Sequence, residues 1–359
     1  MPIRTITLHR FSLPLLRPYK LAFGAIEAFD TILCLAHDEN GNEGFGEATI
    51  LTGYTPETID ESWTIACGLA EKILGRDIAD AKPIISAGHA TAPFTSTALM
   101  TALEMLDGHP LLDVAQSMAV PLLAIVNAME ETAIASEIDA RLAEGYCTLK
   151  VKVGFDADAD ITRVRFIQQH LRGRALIRLD GNQGYSLEDA LRFCAGLDPA
   201  GIELLEQPCH ADDWNAATAV ANVATVPMML DESIYGPDDI DRAADLKAAA
   251  YVKLKLMKSG GLTALADGLG QIRERGMTPV LGNGVASDAG CWMEACVARS
   301  LIDNAGEMNG FLKPRETLFE TQLGVEDGNM MLPPGAPKLK SPDALSRLAL
   351  DTVHFPMGA

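Results

Sequence analysis

Thr148–Phe155 reads TLKVKVGF, a short apolar run that carries Lys150 and Lys152 two residues apart. Side chains alternate along a strand, so both lysines share one face. On an ordinary core face each ammonium would cost on the order of several kcal/mol. Either that face is solvent, or the interior has a use for cations. Similar runs follow at regular intervals: VPLLAIVNA, ALIRLDGN, IELLEQP, PMMLDES, YVKLKLMKSGG, TPVLGNG and, weakly, GEMNG. Amphipathic segments such as DITRVRFIQQHL and LTALADGLGQIRERG lie between them. About eight β/α alternations over roughly 200 residues predict an α/β protein with a (β/α)8-type barrel. A doubly wound sheet is the rival, but no G-x-G-x-x-G follows an early strand.

The flanks have a different texture. IRTITLHRFSLPL and FDTILCLAHDENGNEGFGEAT predict antiparallel strands with DENGNE as a turn. TPETIDESWTIACGLAEKILG predicts a helix capped by Thr55, and STALMTALEMLD a second one. This divides the chain into an N-terminal α+β capping unit over 1–115, a barrel over 116–310 and a C-terminal segment over 311–359. In that segment LGVEDGNMMLP reads as a hairpin turning at Asp327-Gly328, and the segment is expected to return toward the capping unit.

The 359 residues carry a net charge of −20 with no basic patch, which argues against nucleic acid and anionic membranes as partners. Seven scattered cysteines without a C-x-x-C pattern read as reduced thiols of a cytoplasmic protein. The N-terminus alternates like a strand and has no signal-peptide core, and no apolar run reaches the ~18 residues of a membrane span.

Lys152, Asp180, Glu206, Asp231 and Lys255 each fall at or near the C-terminal end of a successive run, 24 to 28 residues apart. In a barrel those ends converge on one mouth, where active sites are built. Three carboxylates converging there call for a cation, and oxygen ligands without clustered His or Cys favour Mg²⁺ over zinc. A lysine on each side of such a cation suits carbon-acid chemistry. The metal binds a substrate carboxylate and steadies an enediolate, while a lysine of lowered pKa removes the α-proton. Lys150 would tune Lys152. One strand-end acid alone is usually a helix cap or loop residue; five in register over consecutive units are a site.

TLKVKVG, IRLDGNQGYS, LLEQP, MLDES and KLKLMKSGG together resemble the barrel strands of the enolase superfamily, in its muconate lactonizing enzyme subgroup. GFGEAT followed by YTPET resembles that family's capping domain, so the likeness spans nearly the whole chain. The resemblance implies a Mg²⁺ site, with Mn²⁺ a possible substitute, made by Asp180, Glu206 and Asp231. It implies Lys152 and Lys255 as acid/base catalysts on opposite substrate faces, supported by Lys150, Asn182 and Glu232. Substrate contacts are expected from the capping loops and last strands: Tyr19, Phe23, Tyr54, Asn283, Glu307 and Asn309. Mandelate-racemase-like members use a His on the seventh strand, which TPVLGNGVASD lacks. Dipeptide epimerases carry a Glu after that strand and an Asp-x-Asp near the eighth, where this chain has Ala286 and Glu307-Met308-Asn309. Asp288 is expected as a substrate contact or as the N-cap of DAGCWMEACVARS. Buried Lys253 needs an anion, Glu206 or Glu232. The expected activity is an isomerase's: a racemase or epimerase of an amino-acid-like carboxylate, with a cycloisomerase or dehydratase as the alternative. The family tendency is toward homo-oligomers.

Overall fold

Alternating apolar residues at the N-terminus build a meander. In the computed structural model, which describes residues 1–21 and 24–357, strands β1 (Ile3–Leu21), β2 (Gly24–Asp38) and β3 (Glu43–Thr49) pair antiparallel. Ile6, Leu8, Phe11 and Leu13 are buried. Asp38 ends β2 by accepting from the backbone N–H groups of Asn40 (2.8 Å) and Asn42 (2.9 Å), which fixes the expected turn.

Three helices cover this sheet: α1 (Ile59–Ile73), α2 (Ile78–Ser86) and α3 (Pro93–Leu106). The cap of α1 is Thr58 rather than the expected Thr55, because Thr58 exchanges bonds with Glu61 at the third helical position. Glu57 is used elsewhere: its carboxylate accepts from Phe94 N (2.9 Å) and Thr95 N (3.1 Å) and so caps α3. Helix α2 escaped the sequence reading because Pro83 inside it looks like a breaker.

After β4 (Met118–Pro121), seven parallel strands follow in sheet order. They are β5 (Ala124–Val126), β6 (Thr148–Lys152), β7 (Leu176–Asp180), β8 (Ile202–Glu206), β9 (Met228–Leu230), β10 (Tyr251–Leu254) and β11 (Thr278–Leu281). Helices α4 (Glu131–Ala143), α5 (Ala157–Leu171), α6 (Leu187–Gly196), α7 (Trp214–Val223) and α8 (Pro237–Asp245) connect the first strands. A single turn, α9 (Leu256–Ser259), precedes α10 (Leu262–Glu274), and α11 (Asp288–Leu301) follows β11.

The curled sheet closes through the weakest of the predicted strands. Glu307 N donates to Leu281 O (3.0 Å), and Leu123 N donates to Gly306 O (2.9 Å). A Cβ on Gly282, whose φ is +133°, would lie 2.4 Å from Glu307 N, so only glycine lets the closing strand approach. Arg178 reinforces the seam, reaching from β7 to Ala305 O (2.8 Å) and Asn304 Oδ1 (3.1 Å) while paired with Glu203.

The tail splits its duties. Strands β12 (Gly324–Glu326) and β13 (Asn329–Leu332) form the expected hairpin, with Asp327 (φ 48°) and Gly328 (φ 72°) both left-handed. This hairpin pairs with β4, not with the N-terminal sheet. After α12 (Pro342–Leu348), β14 (Asp351–Pro356) joins β1, giving the capping sheet the order β14-β1-β2-β3. Among the described residues no helix is long and apolar enough to cross a membrane.

Candidate active site

The strand ends lie level with one another. Lys152 stands opposite Asp180 across β6–β7, and Asp180 stands opposite Glu206 across β7–β8. Asp231 follows β9 directly and Lys255 follows β10. Asp180, Glu206 and Asp231 are 2% exposed or less, so no water layer separates them from the ammonium groups around them.

Lys150 answers the question raised by TLKVKVGF. Its Nζ lies 2.9 Å from Asp180 Oδ2, 2.9 Å from Glu206 Oε2 and 2.8 Å from Glu307 Oε2. Lys253, one layer down β10, contacts Glu206 (3.1 Å), Asp231 (3.6 Å) and Glu307. These two cations occupy the middle of the acidic row. Lys152 and Lys255 flank it: Lys152 pairs with Asp180 (2.7 Å) and touches Asn182 Oδ1, while Lys255 pairs with Asp231 (2.8 Å). Asn182 also donates to Glu232 Oε1 (3.1 Å), which links the β7 and β9 ends.

The capping unit braces this array at KLMKSGG. The Tyr54 hydroxyl lies 3.2 Å from Asp231 Oδ1, 2.9 Å from Lys255 Nζ and 3.1 Å from Lys258 Nζ. Thr97 Oγ1 accepts from Gly260 N (2.9 Å), and the Glu104 carboxylate caps α10 through Leu262 N and Thr263 N. From the barrel side, Glu294 Oε1 accepts from Leu256 N (2.7 Å), the residue after Lys255.

Electrostatics follow from this packing. Burial pushes the Asp180 carboxyl up, but Lys150 and Lys152 outweigh it and bring it down to about 2. Asp231 lies well below the usual range: burial is overcome by Lys255, Lys253 and Lys258. Glu232 has burial plus Asp231 and Asp180 against it and rises to about 7. The sequence reading expected Lys152 below its ordinary value. Here it lies above: burial, the largest influence, and Lys150 lower it, but Asp180, Tyr19 and Glu307 together outweigh them. Lys258 alone among these lysines falls, to about 8, since burial exceeds the pull of Asp231.

The remaining expected residues are placed unevenly. Tyr54 and Glu307 sit within the charged array, and a cavity of about 630 Å³ above it is lined by Tyr19, Asn283, Glu232 and His210 among others. The Asn283 amide is engaged locally with the backbone of Val285. Asn309 Oδ1 accepts from Lys313 Nζ (2.9 Å). Phe23 lies outside the described residues. Asp288 is not the helix cap. Ser287 caps α11, and Asp288 accepts from Leu318 N (2.9 Å) and Phe319 N (2.8 Å), anchoring the tail. Lys258 and Gln207 were not singled out from sequence. Lys258 lies one helical turn beyond Lys255, a spacing that could have flagged it. The Gln207 Oε1 carries Asp231 N (3.1 Å), and nothing in LLEQP signals that.

Can these acids hold a metal? Among the described residues no three His, Cys, Asp or Glu side chains are arranged for an ion; their oxygens converge on ammonium nitrogens instead. The donor set is nevertheless all-oxygen, and Glu206 Oε2, although 2.9 Å from Lys150 Nζ, has no hydrogen-bond partner. A buried carboxylate oxygen left in that state fits a hard divalent cation, whose charge the Lys150 and Lys253 ammonium groups stand in for.

A capped barrel with lysines and carboxylates at its mouth is a fold and site of the enolase superfamily. The chain belongs to that group: residues 133–337 match the enolase C-terminal domain-like family. It is 30% identical over 278 residues to the L-Ala-D/L-Glu epimerase of Clostridium acetobutylicum, covering 73% of this chain and 76% of that protein. It is 30% identical over 345 residues to muconate cycloisomerase 1 of Rhodococcus opacus, covering 90% and 91%. Its fold matches the crystal structure of the dipeptide epimerase from Cytophaga hutchinsonii complexed with Mg and D-Ala-L-Val, with a TM-score of 0.88 at 22% identity over 99% of this chain and 100% of that one. These relatives are isomerases.

Proposed function

We propose that the chain is a Mg²⁺-dependent racemase or epimerase that exchanges the proton α to the carboxylate of an amino-acid-like substrate. The observation that carries this reading is the pair Lys152 and Lys255, at the ends of β6 and β10, flanking the Asp180–Glu206–Asp231 row from its two sides. Inverting a carbon centre needs a proton removed on one face and returned on the other, and two opposed ammonium groups meet that need. The relatives' epimerase activities point the same way.

Asp180, Glu206 and Asp231 would hold the metal. When bound it supplies charge neutralisation for the substrate carboxylate. The chain's own residues do the proton work. Burial and Lys150 favour the free amine of Lys152, and the largest charge opposing them is Asp180, so neutralising Asp180 moves Lys152 toward the free amine against the smaller pull of Tyr19 and Glu307. Asn182 fixes the Lys152 ammonium, and Tyr54 fixes Lys255 with a hydroxyl bond and a ring face 4.3 Å away. Against burial, the Lys150 and Lys253 charges hold Glu307 well below the usual carboxylate range, whereas at Glu206 burial and Asp180 outweigh them and push the carboxyl up.

A cycloisomerase is the second reading, favoured by the likeness to muconate cycloisomerase 1 over nearly the whole chain. It needs one lysine as acid or base and can keep the other as a fixed charge. Proton NMR in D₂O with Mg²⁺, over amino acids, N-acylamino acids, dipeptides and muconate-like diacids, separates the two. Deuterium entering an α-position without loss of substrate supports the epimerase. New vinyl or ring signals refute it in favour of cycloisomerisation.

A further inference from the structure

The two flanking lysines are held by the backbone in different ways. Lys152 is the last residue of β6, and the ladder fixes it opposite Asp180. Its carbonyl also accepts from Arg163 Nη2 (2.6 Å). Lys255 stands one residue past β10, beyond the last ladder pair with β11, Leu254 and Leu281. It immediately precedes α9, with φ −133° and ψ 130°, so the chain turns from strand to helix at this lysine.

A helix start leaves amide hydrogens without intrahelical acceptors, and the residue at that position commonly supplies an oxygen from its own side chain. Lysine carries no acceptor. Glu294 supplies one from α11: its Oε1 accepts from Leu256 N at 2.7 Å. The carbonyl of the same peptide, Lys255 O, accepts from Ser259 Oγ (2.8 Å) and Lys258 N (3.2 Å). One peptide plane is therefore held at both ends, and its orientation sets the ψ of Lys255 and the direction of that side chain. The support is firm, since α11 is buried from Asp288 to Ala298 and Glu294 is 1% exposed. Burial raises the Glu294 carboxyl to about 8, so near neutral pH it is mostly the neutral acid, which a glutamine amide imitates.

We infer that Glu294 is a positioning residue for Lys255 alone, setting the direction from which that lysine meets the substrate and leaving Lys152 on the other face untouched. For its effect on turnover this rests on the two-lysine reading above. A misplacement of about 1 Å costs a reacting group on the order of a hundredfold in rate, so loss of this acceptor should be felt on one face.

The test uses the Mg²⁺-loaded full chain with Glu294→Leu, Glu294→Asp and Glu294→Gln. Leucine removes the acceptor, aspartate withdraws it by one carbon while keeping the carboxyl, and glutamine keeps the acceptor without the charge. Initial α-deuterium incorporation is followed separately for each enantiomer of the amino acid, N-acylamino acid or dipeptide that exchanges. In parallel, without substrate, acetic anhydride labelling of Lys255 relative to Lys152 is read by peptide mass spectrometry. Glu294→Leu and Glu294→Asp should slow exchange about ten- to hundredfold for the enantiomer that Lys255→Ala loses, and leave the other near wild type. Both should also shift the labelling ratio, and Glu294→Gln should restore exchange and ratio alike. Should Glu294→Leu fail to fold, Glu294→Asp carries the same expectation. Equal losses for both enantiomers, a Glu294→Gln as impaired as Glu294→Leu, or an unchanged labelling ratio overturns the inference. No exchange by wild type, or none that depends on Lys255, refutes the two-lysine reading instead. The labelling ratio then decides alone, a shift upholding the positioning role and an unchanged ratio overturning it.

Discussion

Glu294 is buried at 1% exposure under the Lys255 turn, with Oε1 on Leu256 N and Oε2 without a partner. Burial, opposed by the Leu256 bond and aided by Glu47, pushes its carboxyl from 4.5 to about 8. Below about pH 4.5 the native and unfolded chains both carry this proton, so stability is unaffected. Between there and about pH 8 only the unfolded chain releases it, and stability falls by about 1.4 kcal/mol per pH unit. The accumulated loss approaches about 5 kcal/mol, as an order of magnitude. Glu294→Gln keeps the acceptor for Leu256 N and removes the titration. The stability of the variant relative to wild type should therefore climb steadily from about pH 4.5 to about pH 8. Urea unfolding at half-unit pH intervals reads the difference, and any constant packing offset cancels in the slope. A flat difference, or one that falls as pH rises, would refute the reasoning.

Lys150→Met leaves Asp180, Glu206 and Glu307 facing one another without their shared cation, and should cost about 3–5 kcal/mol in chemical unfolding. Gly282→Ala drives a Cβ into the Glu307 backbone at the barrel seam; it should lower the melting temperature more than alanine at Gly270, where nothing lies within 4 Å. Mg²⁺ at about a hundred times its dissociation constant should stabilise wild type by about 2.7 kcal/mol. Most of that gain should vanish in Glu206→Gln, as read by thermal unfolding with and without the ion.

Elements with strong period were legible before the structure. The β6 to β10 strands and their terminal charges are regular in sequence because every unit repeats one packing problem, a strand, a polar end and a covering helix. What escaped was set by contacts distant in sequence. The two-residue closing strand at Gly306–Glu307 is too short to carry a pattern and exists through bonds to Leu281 and Leu123. Glu57 looks like a first-turn helix residue but serves α3 instead, 37 residues on. The raised Lys152 and lowered Lys258 depend on which neighbours outweigh burial, and spacing alone does not reveal that. Lys313 sits in an irregular tail, and only its three-dimensional surroundings show an ammonium that donates to Gly284 O and Asn309 Oδ1 and has no carboxylate partner among the described residues.

The opposed lysines are tested most directly by following α-deuterium incorporation into each enantiomer of an active substrate separately, with Lys152→Ala and Lys255→Ala. Each variant should lose racemisation, and each should lose exchange chiefly from a different enantiomer, since each lysine serves one face. Loss of exchange from both enantiomers in one variant, with the other still turning substrate over, would contradict the two-base arrangement and leave one lysine as a fixed charge.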